Sequence, residues 1–275
     1  MAHFYDSISN RTVDPIDEEE KLNSLFAAEE RYYSSYHSSL AYLIDTLYFR
    51  SLSLSTNYID LASFLSDSKE GAKNTTEGFI YYCESLLSLL SQFAFALPRN
   101  HNQEIDKTIA SIIKIINYDL DKMSLTKEAI KTEEFGTVII IIPKDELLEN
   151  VLQKPKFKDV RDYLIEYKSS HNDGNVKAKE ELLKLMATHV EGITKQAKYR
   201  DKNKRLFDDT DFLYNNLNIR HNQEVKDKRF YNATLSNREH WLDLAYRETL
   251  LVFNSVIEYS DNEAIEKKKN EAGLK

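Results

Sequence analysis

Apolar side chains at Phe79, Tyr82, Cys83, Leu86, Leu87, Leu90, Phe93, Ala94 and Leu97 recur at steps of three and four without a break. Only an α-helix brings such positions onto one face, so the spacing predicts an amphipathic helix over 75–97. Pro98, which lacks an N–H, stops it. Ile105, Ile109, Ile112, Ile113, Ile116 and Leu120 predict a second helix over about 103–121. The short joint Pro98–Asn102 makes the two an antiparallel hairpin. Cys83 lies inside the first stripe and reads as core, not as a nucleophile.

The rest of the chain agrees with this helical start. There are 6 Gly and 4 Pro among 275 residues, too few turn formers for a sheet-rich fold. A hydrophobic fraction of 41% supplies a core. A helix is predicted from Asp17 to about Phe49, less decisively through the Tyr/Ser-rich stretch Arg31–Tyr36, and a shorter one at 57–65 before a loop at 66–74. Further helices fall at 145–152, 160–167, 176–199 and around Leu206–Leu217. The last opens at a Ser236/Glu239 capping box and carries Leu242, Tyr246, Leu250, Phe253 and Ile257. Its tail is expected to fray from Asp261.

One segment breaks the pattern. Thr137-Val138-Ile139-Ile140-Ile141-Ile142 is wholly β-branched and reads as a strand. It needs a partner for its backbone, either a weaker strand elsewhere or the same strand of a second subunit. The expected fold class is therefore mainly α, a multi-helix bundle with a minor β element near 136–142. An N-terminal helical region, 1–132, precedes a C-terminal region, 133–275, and whether the two form one compact domain is left open.

Several chemistries are excluded by motif. No Walker-type phosphate loop, Gly-rich dinucleotide loop or His-Glu-x-x-His occurs, and no His has Glu three residues before it, as di-iron bundles require. The single cysteine rules out an internal disulfide and a multi-thiolate zinc site. Asp208, Asp209 and Asp211 read as helix N-terminal charges in preference to a cation site. No metal and no cofactor are expected. Lacking a signal-like start and an apolar run of spanning length, the chain is expected in the cytoplasm and off the membrane.

Two segments carry candidate chemistry. Lys195, Lys198, Arg200, Lys202, Lys204 and Arg205 form the densest basic run, with Tyr199 inside it. It suits an RNA backbone despite a net charge of −8, while ordinary charge patterning favours a solvated helix end and linker. In Asp211–Asn222, Leu213 and Leu217 face the core, which on a continuous helix brings Arg220 and His221 beside the buried stripe. A polar pocket is one resolution, with Arg220 forking a phosphate and His221 moving protons near neutral pH. The other is structural: cations offset the helix dipole and Asn222 is the C-cap.

The stretch Asp211-Phe212-Leu213-Tyr214-Asn215-Asn216-Leu217-Asn218-Ile219-Arg220-His221-Asn222 resembles the motif helix of HEPN-domain proteins, and most closely abortive-infection proteins of the AbiJ type. The resemblance spans about 50 residues, through the polar loop and the helix that follows. It implies a helical, dimeric, metal-independent ribonuclease or RNA-binding protein of a bacterial defence or toxin system. Arg220 would steady the scissile phosphate, His221 would act as acid/base for attack by a ribose 2′-hydroxyl, and Asn222 would share the polar position. The family's later His falls here at Val225, Lys226 and Asp227, so either His221 substitutes for it or the chain is an inactive member that only dimerises or binds. The alternative is a non-enzymatic α-helical module that docks or regulates a protein partner, with Arg220 and His221 structural.

Overall fold

A computed structural model describes residues 13–33, 36–49, 61–64, 75–97, 103–132, 136–220 and 235–272. The chain divides after Pro143 into two compact units. The fold is mainly α-helical, with two short antiparallel strand pairs among the described residues.

In the N-terminal unit, α1 (Pro15–Ala27) is capped by Asp14, whose Oδ1 accepts from Ile16 N at 2.9 Å. The helix expected over 17–49 does not continue. The Tyr/Ser-rich stretch forms a hairpin, β1 (Glu29–Tyr33) with β2 (Tyr36–Ser39), paired Glu29↔Ser39 and Tyr33↔Tyr36. Ser39 then caps a new helix, α2 (Leu40–Ile44), accepting from Tyr42 N, and a π-helical turn, Asp45–Phe49, extends it. Aromatic and hydroxyl residues favour strands and caps over a helix interior, which explains the break.

The two helices read from periodicity are present as α3 (Thr76–Ala96) and α4 (Gln103–Lys122). Of the α3 stripe, Ala94 is exposed while Leu97 packs against the core from just beyond the helix, and Ile80 and Leu89 are buried as well. Among the described residues, α3 is the one helix long and apolar enough to cross a membrane. No run of that length was expected, because Ser and Gly interrupt its hydrophobic residues. Here 56% of its most apolar window is buried within the fold.

The strand at 137–142 lies in β4 (Gly136–Pro143), and its partner is β3 (Leu125–Thr132), in register from Leu125↔Pro143 to Thr132↔Gly136. Ser124, at φ 53°, makes the turn out of α4. Two α3 side chains serve backbone amides of β4. Ile141 N donates to Glu84 Oε1 at 2.7 Å and Ile139 N to Ser88 Oγ at 2.9 Å. Four helical residues rise about 6 Å and two strand residues about 6.6 Å, so an i, i+4 pair on a helix matches alternate amides of a strand. This pairing draws β4 into the N-terminal unit, and the division falls after 143 instead of after 132. Leu125 and Ile141 join Leu86, Leu90, Ile112 and Ile116 in one core.

The C-terminal unit contains α5 (Glu146–Leu152), α6 (Arg161–Tyr167), α7 (Val176–Thr194), α8 (Ala197–Asn216) and α9 (Leu235–Glu271), with single 3-10 turns at Pro155–Phe157 and Ser170–Asn172. The helix expected over 176–199 stops at Thr194, and α8 starts within the basic run, with Lys195 and Gln196 between the two helices and a kink at Asn203 (φ −126°, ψ 30°). The long α9 packs on α5, α7 and α8. Its expected stripe, Leu242, Tyr246, Leu250, Phe253 and Ile257, is buried. Tyr246 stacks on Tyr167 at 4.2 Å between ring centroids, and Phe253 meets Phe157 at 4.8 Å. The tail does not fray at Asp261: α9 runs to Glu271, with every side chain exposed from 260 onward. It begins at Leu235, so Ser236 lies inside it and does not precede it.

Candidate nucleic-acid interface

Arg220 does not sit on a continuous helix. Helix α8 ends at Asn216, Asn218 takes a left-handed conformation (φ 59°), and Ile219 N donates back to Tyr214 O at 2.9 Å. That is a Schellman-type stop, in which Asn tolerates the left-handed residue. Asn218, not Asn222, is therefore the terminating residue. Buried Ile219 and Leu217 secure the turn, and the hydroxyls of Tyr214 and Thr249 meet beneath it.

The turn sends the Arg220 side chain back between two helices. Its Nε donates to Glu191 Oε1 of α7 at 3.0 Å, and its Nη2 lies 2.7 Å from Asp211 Oδ1 of α8. The second contact is close but out of hydrogen-bond alignment. Lys195 and Arg220 together hold the Glu191 carboxyl below its ordinary range. With 13% of its side chain exposed and two carboxylates against it, the guanidinium is neutralised internally. In this arrangement its fork is not open to a phosphate. His221 and Asn222, and the similar cluster Arg99–Asn102, lie outside the described residues.

The basic run sorts into two groups. Lys195 pairs with Glu191 at 3.1 Å, Lys204 with Asp208 at 2.7 Å, and Arg205 with Asp209 at 3.7 Å. Arg200 reaches Asp208 at 2.6 Å and Asp211 at 3.7 Å. The three aspartates weighed as cation ligands are thus ion-pair partners, and among the described residues no three His, Cys, Asp or Glu converge as metal ligands.

Among the described residues no carboxylate lies within ion-pair range of Lys198 or Lys202, although Glu263 lies near Lys198. Both lie on aromatic rings instead. Lys198 Nζ is 4.6 Å from the centroid of Tyr199 and 5.7 Å from that of Tyr259, while Lys202 Nζ is 4.8 Å from Tyr259. The two rings meet edge to face at 5.1 Å. The Tyr199 side chain raises the pKa of Lys198, and the amine stays charged. Tyr259, contributed by α9, was missed in the sequence, as was Lys156 from the 155–157 turn. Lys156 lies over Phe157 at 5.1 Å, and burial, followed by repulsion from Lys198, lowers its pKa. No periodicity marks either residue, because each joins the patch only through tertiary packing.

In comparisons with known proteins, no family model, no curated protein and no solved structure matches the chain. The resemblance at 211–222 rests on those residues alone.

A second charged cluster is structural. Lys179 is buried, with Nζ 2.7 Å from Glu239 Oε1 and 3.0 Å from Asp243 Oδ1. Tyr167 Oη donates to Asp243 at 3.1 Å and Gly174 N to Glu239 at 2.8 Å. Beside it Arg238 pairs with Glu180. Adjacent residues on α7 thus meet adjacent residues on α9 with opposite charge order, which fixes one register between the helices.

Proposed function

We propose that this chain is a HEPN-like RNA-binding protein of a bacterial defence or toxin system, and that its C-terminal unit grips the RNA backbone without cleaving it. The observation that carries this reading is the pair Lys198 and Lys202, laid over Tyr199 and Tyr259 with no carboxylate of the described residues within ion-pair range. Lysines outside ion-pair range on a helix face, held on aromatic rings, suit phosphate contacts. The sequence resemblance at 211–222 supports the RNA assignment and adds a homodimer. Against cleavage stands Arg220, whose charge is taken up by Glu191 and Asp211.

The test is fluorescence anisotropy with a mixed labelled RNA pool in EDTA, alongside a gel assay for cleavage. Wild type binds and leaves the RNA intact. The double variant Lys198→Glu/Lys202→Glu loses about tenfold or more in affinity at low salt. Folded Arg220→Ala still binds. Absence of RNA binding, or wild-type affinity in the double variant, rejects the reading. Metal-independent cleavage that folded Arg220→Ala lacks would restore an Arg220-centred nuclease.

A second reading, a helical module that docks a protein, is favoured by Leu185 on α7 and Phe212 on α8, large apolar side chains left 47% and 55% exposed. Phe212→Glu would abolish association with such a partner and leave RNA affinity unchanged.

A further inference from the structure

We propose that Lys156, Lys198 and Lys202 form one phosphodiester-binding surface, with Tyr259 the positioning residue that holds two of the three before the ligand arrives. This rests on the RNA-binding reading and names what is recognised: the backbone, not the bases.

Three observations carry it. First, each of the three lysines lies over a ring: Lys156 on Phe157, Lys198 on Tyr199 and Tyr259, and Lys202 on Tyr259. Among the described residues no carboxylate lies within ion-pair range of any of the three. Second, the lysines come from two places in the C-terminal unit, the 155–157 turn and the start of α8. Lys154 ties that turn to α9 by reaching Asp261 at 3.7 Å, two residues beyond Tyr259. Lys156 is close enough to Lys198 for their charges to repel. Like charges gathered on one face, outside ion-pair range of the described carboxylates, favour a polyanion. Third, the lysines already cover Tyr259, so the ring is occupied by cations and is not offered to a base. A long lysine side chain held on a ring has less rotamer freedom to lose on meeting a phosphate.

Carboxylates border the patch, among them Asp261 and Glu263, and Glu266 and Glu271 line a cleft beside Lys202. Asp261 is held by Lys154, and Glu263 lies near Tyr259 and Lys198. Both oppose an incoming phosphate, so Glu263→Gln should tighten binding.

The experiment measures affinity of the full chain for a labelled oligouridylate across a salt series. Lys156→Ala weakens binding and flattens the plot of log affinity against log salt by about 0.7, the single-strand value for one lost phosphate contact. Tyr259→Phe, which keeps the ring, binds within twofold of wild type. Tyr259→Ala weakens binding by about threefold with the salt slope unchanged, because every cation remains. Replacing uridine by other bases changes little. Wild-type affinity and slope in Lys156→Ala overturns the shared surface. Equal losses in Tyr259→Phe and Tyr259→Ala overturn the positioning role. In either case, continued sensitivity to Lys198→Glu/Lys202→Glu leaves the RNA-binding reading standing. If wild type binds no oligouridylate and no mixed RNA, that reading itself fails and this inference with it.

Discussion

The guanidinium of Arg220 reaches back across the end of α8 to lie 2.7 Å from the carboxylate of Asp211, nine residues upstream on the same helix. The left-handed turn at Asn218 makes this return possible, and Glu191 completes the clasp from α7. Arg220→Ala should therefore destabilise the C-terminal unit by about 1–2 kcal/mol, since both carboxylates keep some burial and lose their partner. Lys at this position recovers only part of that, lacking the planar fork. Urea unfolding of Arg220→Ala, Asp211→Asn and the double variant gives the coupling directly. Additive effects would show that the contact contributes nothing.

Asp119 predicts how the N-terminal unit responds to pH. Its side chain is 1% exposed, and burial, followed by the nearby charge of Glu18, pushes its pKa from 3.8 up to about 6. A carboxyl with a raised folded pKa favours the folded state while protonated. That contribution is complete below pH 3.8 and is lost as pH rises through about 6. Asp119→Asn should gain about 1–3 kcal/mol relative to wild type at pH 7.5, and the gain should shrink toward pH 4. Thermal melts of the full chain at the two pH values check this; an equal effect at both would refute it.

Lys179 is the buried cation that two carboxylates of α9 require. Lys179→Met should cost about 3–5 kcal/mol by leaving Glu239 and Asp243 unpaired, more than Lys184→Met on the same helix, whose partner Glu181 is 60% exposed. Combining Lys179→Met with Glu239→Gln and Asp243→Asn should recover much of the loss in a denaturation series.

Glu84 should tolerate Gln, which still offers an acceptor to Ile141 N, and should not tolerate Leu, which strands a buried amide at about 1–3 kcal/mol. Hydrogen exchange at Ile141 and Ile139 distinguishes these outcomes residue by residue. Unchanged protection in Glu84→Leu would mean that the helix side chain is not the amide's effective partner.

Where the hydrophobic period was strong, the sequence was legible: most of the α3 stripe and the Leu242–Ile257 face of α9 were readable, though not Ile80, Leu89, Val252 or Val256. Strand β3 was not, and the reason is local. Its two buried residues, Leu125 and Ile130, stand five apart, so no alternation marks the strand. The break at Tyr33–Tyr36 was hidden because a short hairpin inside helical flanks leaves no period of its own. At the candidate site the lysine run was visible, but not which members matter. Aspartates one turn away neutralise Lys204 and Arg205, a local pattern readable from the sequence. The ring beneath Lys198 and Lys202 comes from the far end of the chain, and Lys156 from well upstream. Arg220 was placed on a helix face because Asn218 was not recognised as a left-handed stop.

The amides that Glu84 and Ser88 take from β4 are those a third strand would have used. A β-ladder grows only where a row of unpaired donors and acceptors is presented, and here a helix already occupies positions in that row. Strand addition at this edge, by a second copy or an extended peptide, would first have to pull α3 away from the core it anchors. The β-branched run 137–142, the segment of this chain most suited to intermolecular sheet growth, is thereby kept from templating it for as long as the N-terminal unit stays folded.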